Sequence, residues 1–252
     1  MIELTPIVRL GLLLVRPGML IVSAPLFGGA YAPTLLKVGL TVIIGVALIP
    51  LVPLPPAGSP IDLTLVVTRE ALVGLALGFS LRVLLAGMEF AGHLAGFQLG
   101  FTYASVVDPQ SGIRNGVVSA LYGTIALVIF FGINAHHDLL RALAQSFQVL
   151  PVGRGGIGPD MSQTVTSLFG LVFVVAAQLA APVIIVLLVT ELGLGLLSRA
   201  APMLNLMAQG FPIRLLVGLL ALMAALRAIP GVLTSAFPRA LQLGTELAGV
   251  FR

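Results

Sequence analysis

The chain has 252 residues, of which 58% are hydrophobic and only 9% charged, with a mean hydropathy of +1.13. A soluble domain carries about 25% charged residues, so an ordinary water-soluble enzyme, a disordered chain and a collagen-like repeat are excluded and an integral membrane protein is expected. The net charge of +4 is spread thinly, which leaves no patch for nucleic acid, and the absence of Cys excludes disulfides and thiolate metal sites.

A spanning helix needs about 20 apolar residues. Apolar runs predict helices at 7–26, 35–54, 63–100, 116–134, 165–198 and 213–236, followed by an amphipathic tail at 238–251. The first run is not read as a cleaved signal peptide. Ala30-Tyr31-Ala32 imitates a cleavage site, but Glu3 spoils the basic leader and Arg16-Pro17 interrupts the apolar stretch. The run 63–100 is too long for one crossing, and 165–198 carries Gln178 and Pro182 near its middle, where a kink or hairpin is expected. Segments 101–115 and 134–164 hold most of the turn-forming residues and are read as loops.

Three features fit poorly with a bundle floating alone in lipid. Aromatic residues are only 6%, with no Trp, so the belts expected at membrane interfaces are thin. Arg and Lys lie near almost every segment end, so loop charge sets no orientation. Arg9, Arg16, Arg82, Glu89, Glu191 and Arg227 also fall inside or beside apolar runs. An ionisable group at mid-bilayer costs at least ~2.5 kcal/mol, so these should face protein or water.

In the long run 63–100, a helix turning about 100° per residue brings Glu89 and His93 within about 40° of Arg82. Gly74, Gly78, Gly92, Gly96 and Gly100 fall on the same side, in G-x-x-x-G spacing that permits close helix approach. The plainer reading is packing within the chain around an Arg82–Glu89 pair. The sharper one is a stripe that meets a partner subunit or a water-filled path.

No set of residues points to catalysis. Gly153-Arg154-Gly155-Gly156-Ile157-Gly158 spells a dinucleotide fingerprint, but no strand–helix unit surrounds it, so it reads as a loop. His136-His137-Asp138 suggests a metal, yet adjacent residues on a helix point about 100° apart and the sequence has only three His and no Cys; Glu89 and His93 share a face, but no third ligand is evident there. The expectation is a non-enzyme without metal or cofactor.

The motifs that remain have a distinctive order. Arg16-Pro17-Gly18 precedes Ser23-Ala24-Pro25-Leu26-Phe27-Gly28 and then Glu70-x-x-x-Gly74-x-x-x-Gly78. Gln98-Leu99-Gly100 leads to Asp108-Pro109-Gln110-Ser111-Gly112, then to Phe130-Phe131-Gly132-Ile133-Asn134-Ala135-His136-His137. Arg199-Ala200-Ala201-Pro202 and Gly210-Phe211-Pro212-Ile213-Arg214 close the series. In this order the chain, over about 9–240, resembles the FliR family of type III secretion export-gate proteins, called SctT or SpaR in injectisomes. Ala135 and Met203 depart from the family pattern, both in segments that read as packing.

The resemblance implies an all-α fold of polytopic, membrane-type helical hairpins set in a right-handed helical export-gate assembly. It implies a single domain over 1–252, with FliP-like hairpins and a plug loop over about 1–115. The remaining hairpins, over about 116–252, would include a FliQ-like part. The implied partners are FliP-like, FliQ-like, FlhB-like and FlhA-like proteins, the membrane, and unfolded proteins in transit. The implied location is the bacterial inner membrane, within the flagellar basal body. The plug would use Phe101, Tyr103, Asp108, Pro109, Gln110, Ser111 and Gly112. An injectisome homologue, or a small-solute secondary transporter, is the alternative.

Overall fold

The structure is a computed structural model that describes residues 6–25, 32–52, 60–101, 116–153, 161–201 and 206–250. Among them the regular elements are all helical, which makes the protein all-α. In chain order these are α1 (Pro6–Ser23), α2 (Thr34–Leu48), α3 (Pro60–Leu99), α4 (Val117–Gly132), α5 (Ala135–Val149), α6 (Met161–Ala200), α7 (Leu206–Leu226) and α8 (Ile229–Gly249). A short 3₁₀ turn, Ile49–Leu51, prolongs α2. Among the described residues, three helical stretches are long and apolar enough to cross a membrane, or up to five if each broken pair, α4 with α5 and α7 with α8, counts as one.

Three sequence expectations need correction. Segment 134–164 is not a loop throughout, because α5 occupies its first half. Its buried Leu139, Ala142, Leu143, Ser146 and Phe147 recur with the three- and four-residue spacing of an amphipathic helix. Hydropathy alone misses such a helix, since its exposed face is polar. Of the kink or hairpin expected at Gln178 and Pro182, the hairpin does not form: α6 runs for 40 residues with Pro182 inside it. Pro costs one backbone hydrogen bond, a loss that neighbouring helices and local adjustment of the backbone offset in membrane-type helices. Finally, the run 213–236 is two helices, α7 ending at Leu226 and α8 starting at Ile229.

The chain forms two compact units, each discontinuous in sequence. One comprises Met1–Leu84, Phe131–Gly170 and Phe237–Arg252; the other comprises Leu85–Phe130 and Leu171–Ala236.

Glycine contacts hold the first unit's helices close. A Cβ at Gly74 would collide with the backbone oxygen of Arg16, and one at Gly78 with the Ser23 hydroxyl, so α3 lies directly on α1. Gly45 admits Leu14 between α2 and α1, and Gly244 admits Ser80 between α8 and α3. Phe79 and Phe169 meet edge to face at 6.4 Å, fixing the start of α6 against α3.

The second unit repeats the device. A Cβ at Gly92 would lie 2.6 Å from the Ser119 Cα, and one at Gly87 would lie 3.1 Å from the Val172 oxygen. Gly218 of α7 receives Leu99 and Leu187. Small residues bring backbones together where no aqueous hydrophobic force drives association, which is how helices pack in lipid.

The spanning stretches differ sharply in cover. In the most apolar window of Leu63–Leu99, 67% is buried, against 11% for Thr34–Leu51. The long helix is largely covered there, whereas α2 presents Leu35 and Ile43 outward.

Candidate functional site

Arg16 sits at the centre of the first unit with no exposed surface. Its helix is apolar, so an unmatched guanidinium there would be costly; four hydrogen bonds and an aromatic face match it. Nε and Nη2 donate to the two carboxylate oxygens of Glu70 at 2.8 and 3.0 Å, a bidentate fork. Nη1 donates to Ser146 Oγ, and Nη2 also donates to the Leu150 carbonyl oxygen, both at 3.0 Å. The guanidinium carbon lies 4.0 Å over the Phe147 ring.

One side chain thus ties α1 to α3, to the buried face of α5 and to the end of α5. The Gly153 N–H approaches Glu70 Oε1 at 3.4 Å, and Arg69 donates to the Gly153 oxygen at 3.4 Å. Gly153 has φ 79°, a left-handed conformation that suits glycine. The first glycine of the apparent dinucleotide fingerprint is therefore part of a turn held by the clamp; Arg154 to Gly158 lie outside the described residues.

In the second unit, α3 ends in a Schellman turn. Gly100 has φ 89°, and the Phe101 N–H donates to the Gly96 oxygen at 3.0 Å. Arg214 of α7 reaches this end. Its Nε donates to the Gln98 oxygen at 2.9 Å, while Nη2 pairs with Glu191 of α6 at 2.8 Å. A cation at a helix C-terminus also opposes the negative end of the helix dipole. Three helices are thereby pinned at the last turn before the predicted plug.

Of the predicted plug residues, Phe101 is described, with 40% of its surface exposed. Tyr103, Asp108, Pro109, Gln110, Ser111 and Gly112 lie outside the described residues. The predicted stripe divides. Gly74, Gly78, Gly92 and Gly96 are buried at contacts within the chain, whereas Arg82, Glu89 and His93 are exposed. Among the described residues, Arg82 and Glu89 make no ion pair. The Ser119 hydroxyl donates to the Glu89 backbone oxygen at 3.0 Å, and the Glu89 side chain, though exposed, runs beside Gly123 of α4.

The clamp's composition was only half visible. Arg16 stands out as a charge in an apolar run, and Glu70 stands out in a motif, but their 54-residue separation hides the pairing. A buried Arg demands an acid, and that demand is the signal that could have joined them. His136 and His137 stack with ring centres 4.2 Å apart, and among the described residues no three His, Cys, Asp or Glu gather as metal ligands.

The geometry defines a membrane-type helical protein whose polar groups serve positioning. Residues 7–240 match the family described as "Bacterial export proteins, family 1", and the chain belongs to that family. Among its relatives, "Flagellar biosynthetic protein FliR" of Escherichia coli (strain K12) is 36% identical, covering 84% of this chain and 82% of its own. The protein of the same name from Bacillus subtilis (strain 168) is 31% identical, covering 90% and 89%. "Yop proteins translocation protein T" of Yersinia pestis is 31% identical over 60% and 59%. The chain is an export-family protein, not an enzyme.

Proposed function

We propose that this protein is a core subunit of the flagellar type III protein export gate, forming and gating the conduit for unfolded flagellar proteins across the inner membrane. The observation that carries the reading is similarity to FliR proteins along most of the chain at 31–36% identity. The shorter match to the Yersinia protein keeps an injectisome role as the second reading.

The exposed apolar faces support a subunit that is completed by neighbours. Leu35 of α2 is 84% exposed and Leu196 of α6 is 71% exposed. FliP-like and FliQ-like proteins are the neighbours proposed, with FlhB-like and FlhA-like proteins beyond them in the basal body. The part over about 1–115 would stand in for a FliP-like unit and the C-terminal part for a FliQ-like one. The exposed Glu89 and His93 would meet partner helices. The loop 101–115 would be the plug, hinged at Gly100 and anchored on the side of α3 by Arg214.

Affinity capture from native membranes, read by mass spectrometry, tests the assignment. FliP- and FliQ-like chains should co-purify in fixed proportion. Recovery of a homo-oligomer alone would overturn the export-gate reading and favour a transporter.

A further inference from the structure

Among the described residues Arg82 of the long apolar helix makes no ion pair; Glu70 is held by Arg16 and Glu191 by Arg214. Arg82 borders a groove of about 640 Å³ in the first unit, a size typical of small-ligand sites. The groove walls are apolar: Leu72, Leu75 and Phe79 of α3, Val165 of α6 and Leu247 of α8. Val22 lies on the rim, 55% exposed.

The groove also has a defined level in the fold. Val22 stands next to the end of α1, Met161 begins α6, and Leu247 lies two residues before the end of α8. Three helix termini therefore gather around it while α3 continues past. Arg82 lies midway along the apolar stretch Leu63–Leu99, at the level of these three helix ends. A cation there with an apolar channel beneath it complements a ligand with an anionic head and a hydrocarbon tail.

We propose that this groove binds an anionic phospholipid, with its phosphate on Arg82 and an acyl chain along Leu72, Leu75, Phe79, Val165 and Leu247. Guanidinium geometry suits bidentate phosphate contact, and basic pockets between membrane helices hold such headgroups. The proposal rests on the chain being membrane-embedded and is independent of whether the conduit carries flagellar or other proteins.

The test uses the full chain, in whatever complex it purifies with, reconstituted with phosphatidylglycerol and phosphatidylethanolamine in equal parts. After mild extraction, native mass spectrometry counts retained lipid. Wild type should retain phosphatidylglycerol in preference to phosphatidylethanolamine. Arg82→Gln should reduce that preference about fivefold, the effect of one cation on anionic lipid binding. Arg82→Lys should keep most of it, and Val22→Trp, which fills the rim, should lower retention of both lipids. Because Arg82 and Val22 are exposed, these changes leave the helix contacts in place. Equal retention of both lipids by wild type overturns the proposal, as does an unchanged preference in Arg82→Gln. So does a photo-crosslinker at position 82 that captures only a neighbouring protein. None of these outcomes alters the co-purification result that tests the export-gate reading.

Discussion

Arg16–Glu70 and Arg214–Glu191 are ion pairs of equal length, 2.8 Å, in different surroundings. The side chains of the first are 0% and 2% exposed, and those of the second 32% and 43%. The first pair fastens three helices of one unit with no solvent to replace a lost partner. The second holds the end of α3 where water or a neighbouring molecule can compete. Identical contact distances thus define two roles, a permanent clamp and a releasable tie, and the difference lies in desolvation rather than geometry.

Removing the acid from each pair breaks the comparison most directly. Glu70→Ala strands a buried guanidinium and should cost about 3–5 kcal/mol, enough to abolish recovery of folded protein in a detergent-melting assay. Glu70→Gln preserves shape and one acceptor, so it should fall between that variant and wild type. If Glu70→Ala melts like wild type, the clamp is not structural. At the other site, Glu191→Gln should shift stability by no more than ~1 kcal/mol, with the residual effect of the pair fading as salt is raised. A loss there as large as at Glu70 would erase the distinction between clamp and tie.

The sequence disclosed the elements whose apolar residues are continuous and concealed those defined by pattern or by distant partners. The runs at 7–26, 35–54 and 63–100 correspond to α1, α2 and α3, because an unbroken apolar stretch has few alternatives to a helix in lipid. α5 was hidden because its buried residues alternate with His137, Arg141 and Gln145, which lower the local hydropathy without disturbing helical spacing. The separation of α7 from α8 was missed for another reason: Pro230-Gly231, just beyond Arg227 and Ala228, is a breaker signal that the continuous apolar run masks.

The stripe on α3 teaches a further lesson. Angular spacing groups its small residues in one sector, but a shared sector of a helix does not make a shared environment. Gly74 and Gly78 face α1, Gly92 faces α4, and Arg82 stands at a groove. A 40-residue helix changes neighbours along its length, and periodicity cannot report which neighbour lies at each turn.

The proposed gate is tested most directly by the leak of small solutes through assembled complexes that lack Asp108–Gly112. With the complex recovered intact, the account predicts a membrane that admits small solutes, because the plug is gone while the clamp at Arg16 and the tie at Arg214 still hold the surrounding helices. Permeability equal to that of wild type in the same intact complexes would contradict it.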